Sequence, residues 1–254
     1  MKRSAESLIG YTMGATDGEI GKVEAFFFDD QTWSIRYFVV ETGSWLFGRK
    51  VLISPEAIES PEWNNHVLPT NLTKDQIRNS PDINTEKPVT RQEAIKLNEH
   101  YPWTGYWGGG YAGGGMGAPG LLIPMTVAAT PTPIPQEASD SITEDSHLRS
   151  TTSVKGYGIH ATDVDLGTVD DFILDDKNWE ISFLVISTGS WLTGQQVLIA
   201  PNRITTINWS TSTVLVDVSA EQVKNSPEYD PRQPINEVLE KNLYDYYGRP
   251  VTIE

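Results

Sequence analysis

Apolar and polar residues alternate along Ile20-Gly-Lys-Val-Glu-Ala-Phe-Phe-Phe28, a polar break follows at Asp29-Asp30-Gln31-Thr32, and Trp33 to Glu41 is again apolar-rich. Period-two alternation with an apolar end marks a half-buried strand and the polar break marks a turn, so the stretch is predicted as a hairpin. Leu8 to Met13 reads as a preceding strand, joined through Ala15-Thr-Asp-Gly18, where Asp-Gly supplies the positive backbone angles of a tight turn. Val51-Leu-Ile53 is a short buried strand closed by Pro55, which cannot continue a ladder, and His66-Val-Leu68 is another short strand. The pattern then changes. Thr73-Lys-Asp-Gln76 has the capping-box form and predicts a helix of one to two turns ending near Asn79-Ser-Pro81, and Thr90 to His100 reads as a short amphipathic helix.

The whole series occurs twice. Thr42-Gly-Ser-Trp-Leu-Phe-Gly-Arg-Lys-Val-Leu-Ile-Ser-Pro55 returns as Thr188-Gly-Ser-Trp-Leu-Thr-Gly-Gln-Gln-Val-Leu-Ile-Ala-Pro201, an offset of 146. At that offset Gly10 to Pro81 aligns with Gly156 to Pro227 without a gap, and roughly 29 of the 72 pairs are identical, which marks an internal duplication. The second copy keeps the hairpin as Val169 to Leu174 and Trp179 to Ile186, a strand at Ser212 to Val214, the capping box as Ser219-Ala-Glu-Gln222, and a tail helix over Ile235 to Tyr246. The predicted organisation is a first unit over 1–101, a flexible linker rich in glycine, aromatics and proline over 102–152, and a second unit over 153–254. Strands with turn signals every 8 to 12 residues and no intervening long helix predict a mainly β fold of small barrels or sandwiches, each followed by helix.

Composition narrows the function classes. The chain has 254 residues and no cysteine, which excludes a disulfide framework, a thiol nucleophile and thiolate metal sites. Its net charge is -15, split as roughly -4 over 1–101, -3 over the middle and -8 from Ser153 onward, so direct nucleic-acid binding is not expected. No apolar run approaches a membrane span, and Met1-Lys-Arg-Ser-Ala-Glu is not followed by a signal-peptide core. The expectation is a soluble, cytoplasmic protein.

Glycine-tyrosine before a turn, Thr16-Asp-Gly-Glu-Ile-Gly-Lys-Val-Glu-Ala-Phe-Phe-Phe-Asp-Asp, the Trp33-x-Ile-x-Tyr-x-Val-Val pattern and Val51-Leu-Ile-Ser-Pro together resemble the PRC-barrel domain family. That family takes its name from the cytoplasmic domain of the photosynthetic reaction-centre H subunit. It also includes the C-terminal domain of a ribosome-maturation factor and stand-alone bacterial proteins, whose tails Leu243-Tyr-Asp-Tyr-Tyr-Gly248 is similar to. The resemblance implies two small, antiparallel PRC-type β-barrels, each followed by short helices, acting as interaction modules with no catalytic residues to carry over.

Candidate chemistry is sparse. The histidines His66, His100, His147 and His160 are scattered, and none is repeated in the other copy, so neither a catalytic triad nor a zinc site is expected. Asp29/Asp30 and Asp175/Asp176, with Asp170 and Asp171, have oxygen ligands of the kind calcium takes, but aspartate is also the usual capping residue of a hairpin turn. Trp33/Trp179 and Trp63/Trp209 are expected to fill the cores. Trp45 and Trp191, flanked by glycines, either close a barrel end or stand exposed as binding anchors, and Tyr101, Trp103, Tyr106 and Trp107 either dock or belong to the linker. The sequence therefore points to a non-enzymatic adaptor or scaffold without cofactor or metal, with Trp45, Trp191, Tyr106 and Trp107 as candidate partner contacts. Its barrels pair as an intramolecular pseudo-dimer or between chains. The alternative is a small-ligand or metal-binding regulator using the acidic turns or the cleft between barrels.

Overall fold

The two copies build two sheets, and each sheet takes one strand from the other copy. The computed structural model describes residues 1–101, 103, 147–189, 192, 194–233 and 235–248. In the first copy, β1 (Lys2–Ser4) precedes β2 (Thr12–Ala15), β3 (Gly18–Asp29), β4 (Ile35–Glu41), β5 (Lys50–Ile53) and β6 (Val67–Pro69), then helices α1 (Lys74–Arg78) and α2 (Arg91–His100). In the second, β7 (Leu148–Ser150) and the short α3 (Thr151–Val154) precede β8 (Gly158–His160), β9 (Asp165–Asp175), β10 (Glu180–Ser187), β11 (Gln196–Ile199), β12 (Ile204–Asn208) and β13 (Thr213–Val216), then α4 (Ala220–Lys224) and α5 (Glu237–Tyr247).

The first sheet runs β5-β4-β3-β2-β6 and the second β11-β10-β9-β8-β13-β12. The mainly β class stands, but the sheets are not closed into barrels. The pairing is mostly antiparallel, as expected, with two exceptions: β2 runs parallel to β6, and β8 to β13. The sheet edges hold an exchange between the copies. β3 is 12 residues long, and β2 reaches along its edge only as far as Lys22. Beyond that point the edge would present unpaired backbone groups around the buried Phe27 and Phe28, which is costly in an interior. β7 of the second copy fills the place, with Phe27 opposite Ser150 and Asp29 opposite Leu148. β1 does the same for β9, with Lys2 opposite Asp175 and Ser4 opposite Ile173. Residues 147–152, expected as the end of the linker, therefore carry structure.

A local pseudo-two-fold axis follows from one bridge. Ser34 pairs antiparallel with Glu180, its own counterpart at the 146 offset. The flanking hydrogen bonds are reciprocal: Ile35 N–H donates to the Trp179 carbonyl at 2.7 Å and Ile181 N–H to the Trp33 carbonyl at 2.8 Å. Burial is continuous across the seam, with Phe28 against Phe172 and Trp179 edge-on to Phe38, so a single core serves both copies.

Local signals behave as the residues dictate. Both capping boxes form, Thr73 with Gln76 and Ser219 with Gln222. The turn aspartates reach across to the same helices: Asp17 accepts from Lys74 N–H at 2.8 Å and Asp163 from Ala220 N–H at 2.9 Å. Each tail helix is tied to the short helix before it through equivalent positions. His100 Nε2 lies 2.7 Å from the Gln76 carbonyl, and the Tyr246 hydroxyl donates to the Gln222 carbonyl at 2.8 Å. Gly21 and Gly167 permit a crossing of strands, since a Cβ at either would lie 1.9 or 2.0 Å from a carbonyl oxygen, of Glu41 or Ser187.

Candidate functional site

The strand exchange carries its own side-chain chemistry. Arg3 on β1 bonds Asp176 at 2.8 Å while its guanidinium lies 3.5 Å from the Trp63 ring of the first copy. Arg149 on β7 bonds Asp30 at 3.1 Å and lies 4.2 Å from the Trp209 ring of the second copy. Each arginine thus clamps a carboxylate of one copy to a tryptophan of the other, through an ion pair and a cation–π contact. Trp63 and Trp209, expected in the cores, are instead half-buried at this seam, each covered by the arginine on its own copy's exchanged strand.

The other acidic residues are engaged as well. Asp29 accepts from Gln31 and Thr32 N–H at 2.9 and 2.7 Å, the capping role expected of a turn aspartate. Asp175 binds the Lys2 ammonium at 2.8 Å, and that hydrogen bond with Lys2 holds its carboxyl below the usual range against the opposing effect of burial. Asp171 bonds the Ser4 hydroxyl and Glu6 N–H, and burial pushes its carboxyl up. Asp170 accepts from Gln196. Among the described residues no group of three or more histidine, aspartate or glutamate side chains is placed to hold a metal ion.

The histidines have separate surroundings. His66 stacks on Tyr11, His100 meets the Gln76 carbonyl, His147 contacts Asp30 at 3.1 Å, and His160 contacts Asp165. Trp45 is half-buried, its indole N–H donating to the Ile20 carbonyl at 2.5 Å, with Lys74 4.8 Å from its ring. Phe47, at the tip of the same loop, is 96% exposed. Tyr101 is buried and stacks on Trp103 at 4.0 Å, and Trp103 in turn packs near Tyr37. Trp191, Tyr106 and Trp107 lie outside the described residues, as do 104–146 of the linker.

Beside the pseudo-axis opens a cleft of about 1230 Å³. The first copy contributes the Asp30–Ser34 turn and Arg36; the second contributes the start of β10, β12, Trp209 and Tyr244; the exchanged strands add Lys2 and Arg149. No single copy makes this wall-to-wall surface, so it exists only in the assembled pair. Its pseudo-symmetric counterpart, between Pro55, Asn98, Trp103 and Asn178, is only about 180 Å³. The difference lies partly in β12. The equivalent residues of the first copy, Ile58 to Glu62, contain Pro61 and make only isolated bridges at Ile58 and Glu62, whereas Ile204–Asn208 with Ile207 at that position forms a full strand.

Sequence reasoning did not reach the clamp or β12, although both left a signal. Arg3-Ser4 matches Arg149-Ser150 at the 146 offset, outside the span where the duplication is dense, and Pro61 opposite Ile207 marks where the copies part.

Among the described residues no helix is long and apolar enough to cross a membrane. A comparison with curated proteins finds no match. The family model for the PRC-barrel domain matches residues 3–75 and 150–223, more than half of the chain, and both matches begin within an exchanged strand. The chain belongs to the PRC-barrel domain family, which it represents with two copies.

Proposed function

We propose that this protein is a non-enzymatic adaptor or scaffold in which two PRC units, fused and strand-exchanged, present one composite surface to a protein partner. Domains of this family are typically interaction modules. The observation that carries the reading is the cleft at the pseudo-axis, walled by both copies and by both exchanged strands. Its volume exceeds the roughly 300–1,000 Å³ of ordinary small-molecule pockets, which favours a polypeptide occupant. The chemistry agrees: the four histidines are separately engaged, two of them by carboxylates, and the paired aspartates are committed to cations and turn amides.

The test is recovery of bound proteins from the native cell, followed by reconstitution with the purified candidate and calorimetric titration. A stoichiometric complex with micromolar or tighter affinity is the expected result. A chain that forms no such complex, or that turns over a small metabolite in an activity screen, would refute the proposal.

A further inference from the structure

The duplication provides an internal comparison of one sheet edge. In the first copy the segment Ile58-Glu59-Ser60-Pro61-Glu62 carries two carboxylates and a proline, the devices that keep an edge from pairing. The second copy has Ile204-Thr205-Thr206-Ile207-Asn208 in the same place, with none of them. This segment is a strand, and among the described residues its only partner is β13, so the opposite edge is unpaired. That edge borders the cleft, whose wall includes Ile204 to Ile207. Two cations of the wall are already engaged, Lys2 by Asp175 and Arg149 by Asp30, so its charge selects no charged occupant.

The chain itself holds an uncharged segment with the backbone such an edge accepts. Thr130-Pro131-Thr132-Pro133-Ile134-Pro135-Gln136, outside the described residues, has proline at every second position. Each proline has its own φ fixed and biases the residue before it toward extended backbone, so Thr130, Thr132 and Ile134 lose little further freedom on joining a sheet. In an extended strand the N–H and C=O of one residue point to one edge and those of the next to the other. Every missing N–H therefore falls on a single edge, while Thr130, Thr132, Ile134 and Gln136 keep their donors on the opposite one. Such a segment can pair with one strand and cannot be extended by another, which is the place proline takes in sheets. Its position in the chain agrees. Gln136 stands eleven residues before His147, which lines the same cleft, and a chain of that length reaches about 36 Å when extended. The tether keeps the segment at high local concentration beside the edge.

We propose that residues 130–136 of the chain add to the free edge of β12 as an outer strand, with Thr130, Thr132, Ile134 and Gln136 hydrogen-bonded to β12 and the prolines on the edge away from it. Main-chain hydrogen bonds supply the affinity in this mode. A single linker can fill one edge, and of the two equivalent edges only that of the second copy is left unguarded. The composite surface offered to a partner then includes this strand. The inference rests on the edge and its tether, and the reconstituted partner complex judges the interaction-module reading separately.

The test is residue-resolved amide exchange on the full chain by NMR. In the parent, the β12 amides that point away from β13 should exchange slowly. Thr132→Pro with Ile134→Pro keeps the segment extended and uncharged but removes its central donors, so those amides should exchange about tenfold faster or more. Thr132→Val with Ile134→Val keeps the donors and should leave them slow. Because the chain has no cysteine, a nitroxide on Gln136→Cys reports where the segment lies. It should broaden the amide signals of Thr205 to Asn208 in the parent background and lose that effect when the two prolines are added. Fast exchange of the outward amides in the parent, equal protection in the proline variant, or broadening confined to another surface would overturn the proposal. In a mixed sample, broadening of isotope-labelled chains by separate nitroxide-bearing ones would assign the edge to a second copy and overturn it as well.

Discussion

Replacing Arg149 with alanine removes the ion pair to Asp30 and the cover over Trp209 in one step. The Asp30 side chain is 8% exposed and that of Arg149 23%, so the pair is largely withdrawn from solvent. Breaking a buried pair on one side costs about 3–5 kcal/mol, and the partial exposure of Arg149 together with the remaining His147 contact brings the ionic part to about 2. Loss of the cation–π contact adds about 1 kcal/mol. For a cooperative unit of this size, about 3 kcal/mol corresponds to a fall in melting temperature of about 6–12 °C. The decisive measurement is a set of four double-mutant cycles by denaturant unfolding. Arg149 with Asp30, and Arg3 with Asp176, should each couple by about 1–2 kcal/mol, while Arg149 with Asp176 and Arg3 with Asp30 should be additive. Were β1 and β7 each paired within their own copy, the pattern would reverse. Coupling of Arg149 to Asp176 would therefore refute the exchange.

Further outcomes follow from the same geometry. A protease site inserted between residues 104 and 146 and then cut should leave the two halves co-eluting in native size exclusion, because β1 and β7 still bridge them; separate elution would count against the exchange. Gly21→Ala should destabilise by about 2 kcal/mol or more in urea melts, since its Cβ would meet the Glu41 carbonyl at 1.9 Å, and an unchanged midpoint would show that the strands separate freely. Burial pushes the Tyr37 and Tyr229 phenols up to about 12. The Lys2 ammonium is buried too, yet its hydrogen bond and charge interactions with Asp175 raise it above its ordinary 10.5. Groups raised in the folded state lend stability below their unfolded values and lose it as pH climbs through the folded ones, so melting temperature should fall from about pH 10 upward. Lys2→Met should flatten the part of that fall above pH 10.5, and absorbance titration should show these two phenols ionising last. Early ionisation of all ten tyrosines would contradict their burial.

The local grammar of the chain was readable in its residues: the capping boxes at Thr73 and Ser219, the hairpin around Asp29-Asp30, and the tail helices all depend on neighbours close in sequence. What lay hidden depends on distance. A strand of three residues such as Lys2–Ser4 has too little periodicity to announce itself, and its partner Asp175 lies 173 residues away. Parallel pairing of β2 with β6 was concealed by the same brevity. Trp63 and Trp209 read as core residues because a tryptophan normally needs apolar cover, and no local pattern reveals that an arginine about 60 residues earlier, on an exchanged strand, covers each of them. The hydrogen bond from the Trp45 indole N–H to the Ile20 carbonyl spans 25 residues, and no local pattern announces it.

The Ser34–Glu180 bridge has a genetic meaning as well as a geometric one. In a homodimer, whatever residue stands on the axis meets itself, and a glutamate there would face a glutamate, a repulsion that every mutation must repeat on both sides. Fusion of the two copies into one gene removes that constraint. Serine can then stand opposite glutamate, Pro61 can guard one edge while Ile207 opens the other, and a symmetric body can evolve a single asymmetric mouth.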